Sequence, residues 1–329
     1  MILICFGTRP EYIKLKPLMD KLDGQLEYKT LFTGQHKDLV QHKPDYSIEI
    51  EDGGNRLDSI ISSTMNSINF DGVSCVIVQG DTTSVLAVAL SAFNNKIPVV
   101  HLEAGLRTHN LQQPYPEEAN RQIVSRISDL HLCPTTDAAV NLAKENVPTD
   151  RIYTVGNTVL DHLVDVRTTD ENKVLVTMHR RENHAKIEEW FKAIDDLAKQ
   201  SKEYEFCLPI HPNPAVKEKV GLLENVKVVD PMSHKGLIKY LSSCSYVITD
   251  SGGIQEEAAF LRKPCLVCRE ETERFEGLGV FSLLCKQPEE LIQLCSQLDE
   301  LSMKGDCPYG DGKASEKIVR ILNDYSYTS

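Results

Sequence analysis

Charged side chains in this sequence cluster where apolar runs stop: Asp81 in Gln79-Gly-Asp81, Glu103 and Arg107 in His101-Leu-Glu-Ala-Gly-Leu-Arg107, and Glu117 in Pro114-Tyr-Pro-Glu-Glu-Ala-Asn-Arg121. The stretch Ile97-Pro-Val-Val-His-Leu102 reads as a buried strand, so Glu103 and Arg107 leave its carboxyl end together. Burying them is costly without a charged ligand or mutual pairing. Either they line a ligand site or they form an ion pair that caps the strand. Asp81, Glu103 and Glu117 are expected on one wall, with His211 of Ile210-His-Pro-Asn-Pro214 opposite. Such carboxylates repel phosphate. They would stabilise an oxocarbenium-like sugar, and they can move protons where like-charge crowding raises one pKa.

The cations gather at strand ends too: Arg9 and Lys14, Arg107, His179-Arg180-Arg181, and Arg269 with Arg274. That distribution suits a phosphate-bearing small molecule. Gly7-Thr-Arg-Pro-Glu11 joins a strand to a helix whose N-terminus would attract an anion, although the same residues also make an ordinary helix cap. Asp250-Ser-Gly-Gly253 repeats the pattern: backbone N–H groups of Ser251, Gly252 and Gly253 could hold a pyrophosphate, and Glu257 one turn later could accept from ribose hydroxyls. The glycines could instead only relieve strand–helix packing. Neither loop is a GxGxxG fingerprint, so no nicotinamide cofactor is implied. Cys265-Leu-Val-Cys268 has metal-like spacing, but a strand would point its thiols to opposite faces, and no metal site is expected.

The elements that must position these groups alternate. Strand-like runs at 1–6, 28–33, 73–79, 99–102, 130–133 and 152–155 are separated by helical runs, and a second series has strands at 173–178, 205–210, 225–229, 246–249 and 265–267. This is an α/β pattern of two Rossmann-like doubly wound domains facing a cleft. We place the first domain, with the sugar and the catalytic side, at 1–165 and the second, with the nucleotide, at 173–312. The polar bridge between them is a hinge, and the last helix, in 313–329, is expected to pack back on the first domain. With 329 residues and 41% apolar content the chain can bury two cores. Its net charge of −12 argues against a nucleic-acid or anionic membrane partner. No run reaches membrane-span length, the start lacks the features of a signal peptide, and the cysteines sit in apolar runs as buried thiols, so a cytoplasmic protein is expected.

In order along the chain, GTRPE at 7–11, TGQH at 33–36, QGDT at 79–82, HLEAGLRT at 101–108, PEEANR at 116–121, GNTVLD at 156–161, HRREN at 179–183, HPNP at 211–214, DSGGIQEEA at 250–258 and TER at 272–274 resemble the non-hydrolysing UDP-N-acetylglucosamine 2-epimerases. The resemblance spans nearly the whole chain. It implies the GT-B type of fold, no metal or NAD, a homodimer and a role in polysaccharide biosynthesis. It implies Asp81, Glu103, Glu117 and His211 as catalytic acids and bases, with Arg9 and Lys14 near the sugar and phosphates; the strand-end clustering adds Arg107, His179, Arg180 and Arg269 as substrate-binding residues. Ser251, Gly252, Gly253 and Glu257 would contact UDP. The implied reaction removes the carbon 2 proton with loss of UDP, then adds UDP back with protonation on the opposite face. Relatives with the same motifs act on 6-deoxy UDP-L-sugars, which is the alternative substrate class, and a GT-B glycosyltransferase is a further rival. After TGQH comes Lys37-Asp38-Leu39, where members with an effector-sugar site carry a second polar amide near Asp38, so little or no activation by a second UDP-sugar is expected.

Overall fold

The computed structural model describes residues 1–36, 43–51, 53–210 and 213–325. His211 and Asp38 lie outside the described residues. The chain divides into two compact units, residues 1–161 with 309–329 and residues 162–308.

The first unit runs β1 (Ile2–Phe6), α1 (Arg9–Leu22), β2 (Tyr28–Phe32), β3 (Tyr46–Ser47), α2 (Arg56–Ser67), β4 (Cys75–Gln79), α3 (Thr83–Asn94), β5 (Val99–Leu102), α4 (Glu117–Ile127), β6 (Leu130–Cys133), α5 (Thr136–Lys144) and β7 (Ile152–Thr154). Its sheet is parallel, in the order β3-β2-β1-β4-β5-β6-β7. Strands β1, β4, β5 and β6 are buried at every position, as both faces of a doubly wound sheet require.

The second unit runs β8 (Lys173–Thr177), α6 (Ile187–Gln200), β9 (Glu205–Pro209), α7 (Pro214–Lys217), β10 (Lys227–Val229), α8 (His234–Ser243), β11 (Tyr246–Thr249), α9 (Gly252–Phe260), β12 (Cys265–Cys268), β13 (Ser282–Cys285) and α10 (Leu291–Cys295). These strands are parallel in the order β10-β9-β8-β11-β12-β13. Trp190, Phe191 and Ile194 of α6 pack on Val174, Val176 and Phe206 in its core. The final helix, α11 (Ala314–Asp324), places Ile318, Val319 and Leu322 in the core of the first unit, beside Leu15 and Leu18 of α1. Asp161 caps it by accepting from the Ala314 and Ser315 amides.

Strand order reverses between β1 and β4 in one sheet and between β8 and β11 in the other. Such switch points open a crevice at the carboxyl ends of the strands, where α/β sheets bind ligands. The ends of those four strands are Gly7, Gly80-Asp81, His179 and Asp250-Ser251, all within the motifs singled out above.

Candidate functional site

The turn after β1 was expected to cradle an external anion, but its amides are served from within. Thr8 and Glu11 form a capping box: the Thr8 hydroxyl accepts from the Glu11 amide, and Glu11 Oε2 accepts from the amides of Thr8 at 3.0 Å and Gly7 at 2.6 Å. Glu11 Oε1 accepts from the Thr82 hydroxyl at 2.5 Å. Glycine is required at position 7, because a Cβ there would stand 2.3 Å from Ser84 Oγ and 2.4 Å from Thr33 Oγ1. A ligand at this turn therefore meets Arg9, which is exposed, rather than a row of open amides.

Glu103 leaves β5 with φ 59°, a left-handed conformation that a glutamate adopts only where its surroundings hold it. Lys14 Nζ, from the second turn of α1, donates to both of its oxygens at 2.7 and 2.6 Å. The Gln79 side-chain amide also donates to it, and Asn157 Nδ2 does so at 3.4 Å. A Cβ on Gly80 would lie 3.7 Å from Glu103 Oε2, so this carboxylate stands beside the turn that carries Asp81. Asp81 accepts from Arg121 through Nε at 2.8 Å and Nη2 at 2.6 Å, with 27% of its side chain exposed. Asn120 Nδ2 donates to the Asp81 carbonyl. Buried Glu118 accepts from the amides of Thr108 and His109 and from Arg121 Nη1, which pins the segment after β5 onto α4. Glu117, half-buried at the first position of α4, is carried on that same frame.

Arg107 belongs to the packing, not to the ligand. It donates through Nε and Nη2 to the two oxygens of Glu145, through Nη2 to Ser125 and through Nη1 to the Leu106 carbonyl, and its side chain has no exposed surface. The ion-pair reading of this residue holds, with Glu145 rather than Glu103 as partner. Arg107 therefore does not line the candidate site.

In the second unit Asp250 is fully buried, and its Oδ2 accepts from the backbone amides of His179 and Arg180 at 2.8 Å each and from Asn183 Nδ2 at 3.1 Å. His179 Nδ1 lies 3.3 Å from Asp250 Oδ1. Burial lowers the His179 pKa, against the opposing pull of Asp250. Arg180 carries a buried Nε with no hydrogen-bond partner among the described residues. Ser251 stands at the N-cap of α9 without capping it through its side chain, and its own amide donates to the Thr249 hydroxyl at 2.9 Å. Gly252 is pressed against the guanidinium of Arg274, which a Cβ would meet at 2.3 Å. Glu257, expected to face ribose, is 3% exposed, and its Oε1 lies 2.8 Å from Nε2 of His234.

Arg269 is likewise buried among carboxylates and does not face a ligand. Only 2% exposed, it donates to Glu182 at 2.8 Å and Glu273 at 2.9 Å, in a chain continued by Glu273–Arg274 and Arg274–Glu256 contacts. Arg269 is thus held by these carboxylates and serves packing. His101 and His131 sit side by side in β5 and β6, and burial holds their pKa values down to about 4 and about 3, so both are neutral packing groups. The ten cysteines are free thiols, and Cys265 and Cys268 lie in strand β12.

A family model described as UDP-N-acetylglucosamine 2-epimerase matches residues 20–323. The chain is 37% identical to the UDP-N-acetylglucosamine 2-epimerase of Campylobacter jejuni, with 98% of this chain and 97% of the relative covered. It is 36% identical to that of Bacillus subtilis, with 99% and 96% covered. Among solved structures, the UDP-GlcNAc 2-epimerase from Neisseria meningitidis bound to UDP-GlcNAc superposes with a TM-score of 0.89 at 34% identity, covering 98% of this chain and 100% of that one. The S. aureus MnaA-UDP co-structure gives 0.90 at 32% identity, covering 98% and 96%. The fold is thus the α/β, GT-B type with two Rossmann-like units.

Proposed function

The chain belongs to the UDP-N-acetylglucosamine 2-epimerase family, and from that membership we propose that it reversibly converts UDP-N-acetylglucosamine into UDP-N-acetylmannosamine, in the cytoplasm and for polysaccharide synthesis. The observation that carries this reading is the grouping of Asp81, Glu103 and Glu117 on adjoining segments after β4 and β5, with Arg121 and Lys14 holding the first two. The proton on carbon 2 of the sugar has no neighbouring carbonyl to acidify it. Cleavage of the anomeric bond must therefore lead, and carboxylates are suited to the positive charge that develops. UDP departs, carbon 2 loses its proton to give 2-acetamidoglucal, and return of UDP with protonation on the other face completes the inversion. In this reading Asp81, Glu103, Glu117 and His211 supply acid and base, and Arg9 and Lys14 meet the sugar and phosphates. The head of α9 at Ser251–Gly253 takes the diphosphate with His179 and Arg180, and Glu257 takes the ribose.

The reading predicts that UDP-N-acetylglucosamine alone, in deuterated buffer with a chelator present, yields both epimers with deuterium at carbon 2. Loss of activity with chelator, or free sugar as the main product, would overturn it. If neither epimer reacts and a 6-deoxy UDP-N-acetyl-L-sugar does, the substrate assignment moves to that class.

We further propose a homodimer. Phe93 on α3 and Ile123 on α4, helices that pack against each other, are large apolar side chains 53% and 46% exposed, and a second copy would cover them. Light scattering should give twice the chain mass, falling to the single mass in Phe93→Glu. A wild-type protein that is monomeric at micromolar concentration would exclude the dimer.

A further inference from the structure

Each switch point is laced by one buried carboxylate. In the second unit Asp250, at the end of β11, binds the amides that follow β8. In the first unit the lace is Glu11, which binds the amides that follow β1 and the hydroxyl of Thr82, one residue past Asp81. Glu11 is 3% exposed, and both of its oxygens accept from groups of the protein itself. Thr82 is also the N-cap of α3, accepting from the Val85 amide at 3.4 Å, which leaves little freedom in the turn that carries Asp81. Asn120 holds the Asp81 carbonyl and Arg121 its side chain from the α4 side.

We propose that Glu11 is a positioning residue that sets Asp81 relative to the Lys14–Glu103 pair by tying the turn after β1 to the turn after β4. The proposal rests on the catalytic reading of Asp81 given above. A misplacement of about 1 Å at a reacting group can cost about 10²-fold in rate without touching substrate affinity. The arrangement has a titration of its own. Burial pushes the Glu11 carboxyl up to about 7, against the lowering effect of Thr82, Gly7 and Thr8, with Asp81 raising it further. The titratable groups facing it are Asp81 and Cys5 of β1, whose thiol burial also pushes up. The ionised form accepts at both oxygens, so kcat should rise with pH through about 7.

The test compares Glu11→Ala, Glu11→Gln and Asp81→Asn for kcat, KM, UDP affinity by calorimetry and pH profile. Glu11→Ala should lose about 10²-fold in kcat with UDP affinity within about twofold of wild type. Glu11→Gln keeps an oxygen for the Gly7 and Thr8 amides but, like the protonated acid, cannot accept at both oxygens, so its kcat should stay near the low-pH level of wild type and lack the limb near pH 7. If Glu11→Ala does not fold, Glu11→Gln decides. Wild-type kcat in a folded Glu11→Ala, equal losses of rate and UDP affinity, or a limb near pH 7 unchanged in Glu11→Gln would each overturn the proposal. A fully active Asp81→Asn would instead bring down the catalytic reading beneath it.

Discussion

Asp81→Asn is expected to lower turnover by about 10²–10⁴-fold while UDP affinity stays within about twofold, the pattern of an acid–base group that does not hold the nucleotide. The replacement has nearly the same shape and keeps an oxygen for Arg121, and the carboxylate it removes is 27% exposed at a turn, so the fold should survive. Arg121 retains Glu118, which is itself held by the Thr108 and His109 amides, so the α4 frame that carries Glu117 should persist. What is lost is negative charge, and the capacity to exchange a proton, beside the Lys14–Glu103 pair. Isothermal calorimetry with UDP and initial rates with UDP-N-acetylglucosamine separate the two effects. Parallel losses of affinity and rate would move Asp81 into nucleotide binding, and an unchanged rate would remove it from the chemistry.

The strands were legible because both sheet faces are covered, so each central strand is an uninterrupted apolar run such as Cys75-Val-Ile-Val78 or Val174-Leu-Val176. Helix α2 was not legible. Its buried positions are Ser59, Ile60, Ser63 and Thr64, so small hydroxyl residues pack against α3 where a hydrophobic stripe would have announced a helix. Helix α10 ends at Cys295, where the Ser296 hydroxyl donates back to the Gln293 carbonyl at 2.6 Å. The short strands β3 and β13 also escaped notice, being two and four residues long.

For the site, spacing identified which residues reach the strand ends but not how they pair there. Thr8-Arg-Pro-Glu11 carries the capping-box signature, a cue that the amides at the head of α1 have an internal acceptor. No comparable local cue exists for Arg107–Glu145 or Lys14–Glu103, whose members are 38 and 89 residues apart. Cations that looked alike in sequence therefore divide. Lys14 and Arg121 pair with candidate catalytic carboxylates, whereas Arg107 and Arg269 serve packing.

Arg274→Met should be the most damaging single change to the second unit, costing about 3–5 kcal/mol of stability, as expected when one partner of a buried ionic network is removed. Arg274 is 5% exposed at its side chain and joins Glu256 and Glu273, which are 1% and 2% exposed. Methionine fills similar volume but leaves Glu256 without this donor and Glu273 dependent on Arg269, which Glu182 also engages. Burying a carboxylate without its partner is the dominant cost, and no solvent is at hand to relieve it. A second effect follows from the contact with Gly252: the guanidinium that the loop rests on is gone, so the head of α9 loses its support. UDP affinity should therefore fall even at temperatures where the protein remains folded. Urea unfolding followed by tryptophan fluorescence reads the first effect through Trp190, in the core of this unit. Calorimetry with UDP reads the second. An unfolding midpoint within error of wild type would show that the network adds nothing net to stability. Lost stability with unchanged UDP affinity would separate the network from the proposed diphosphate loop.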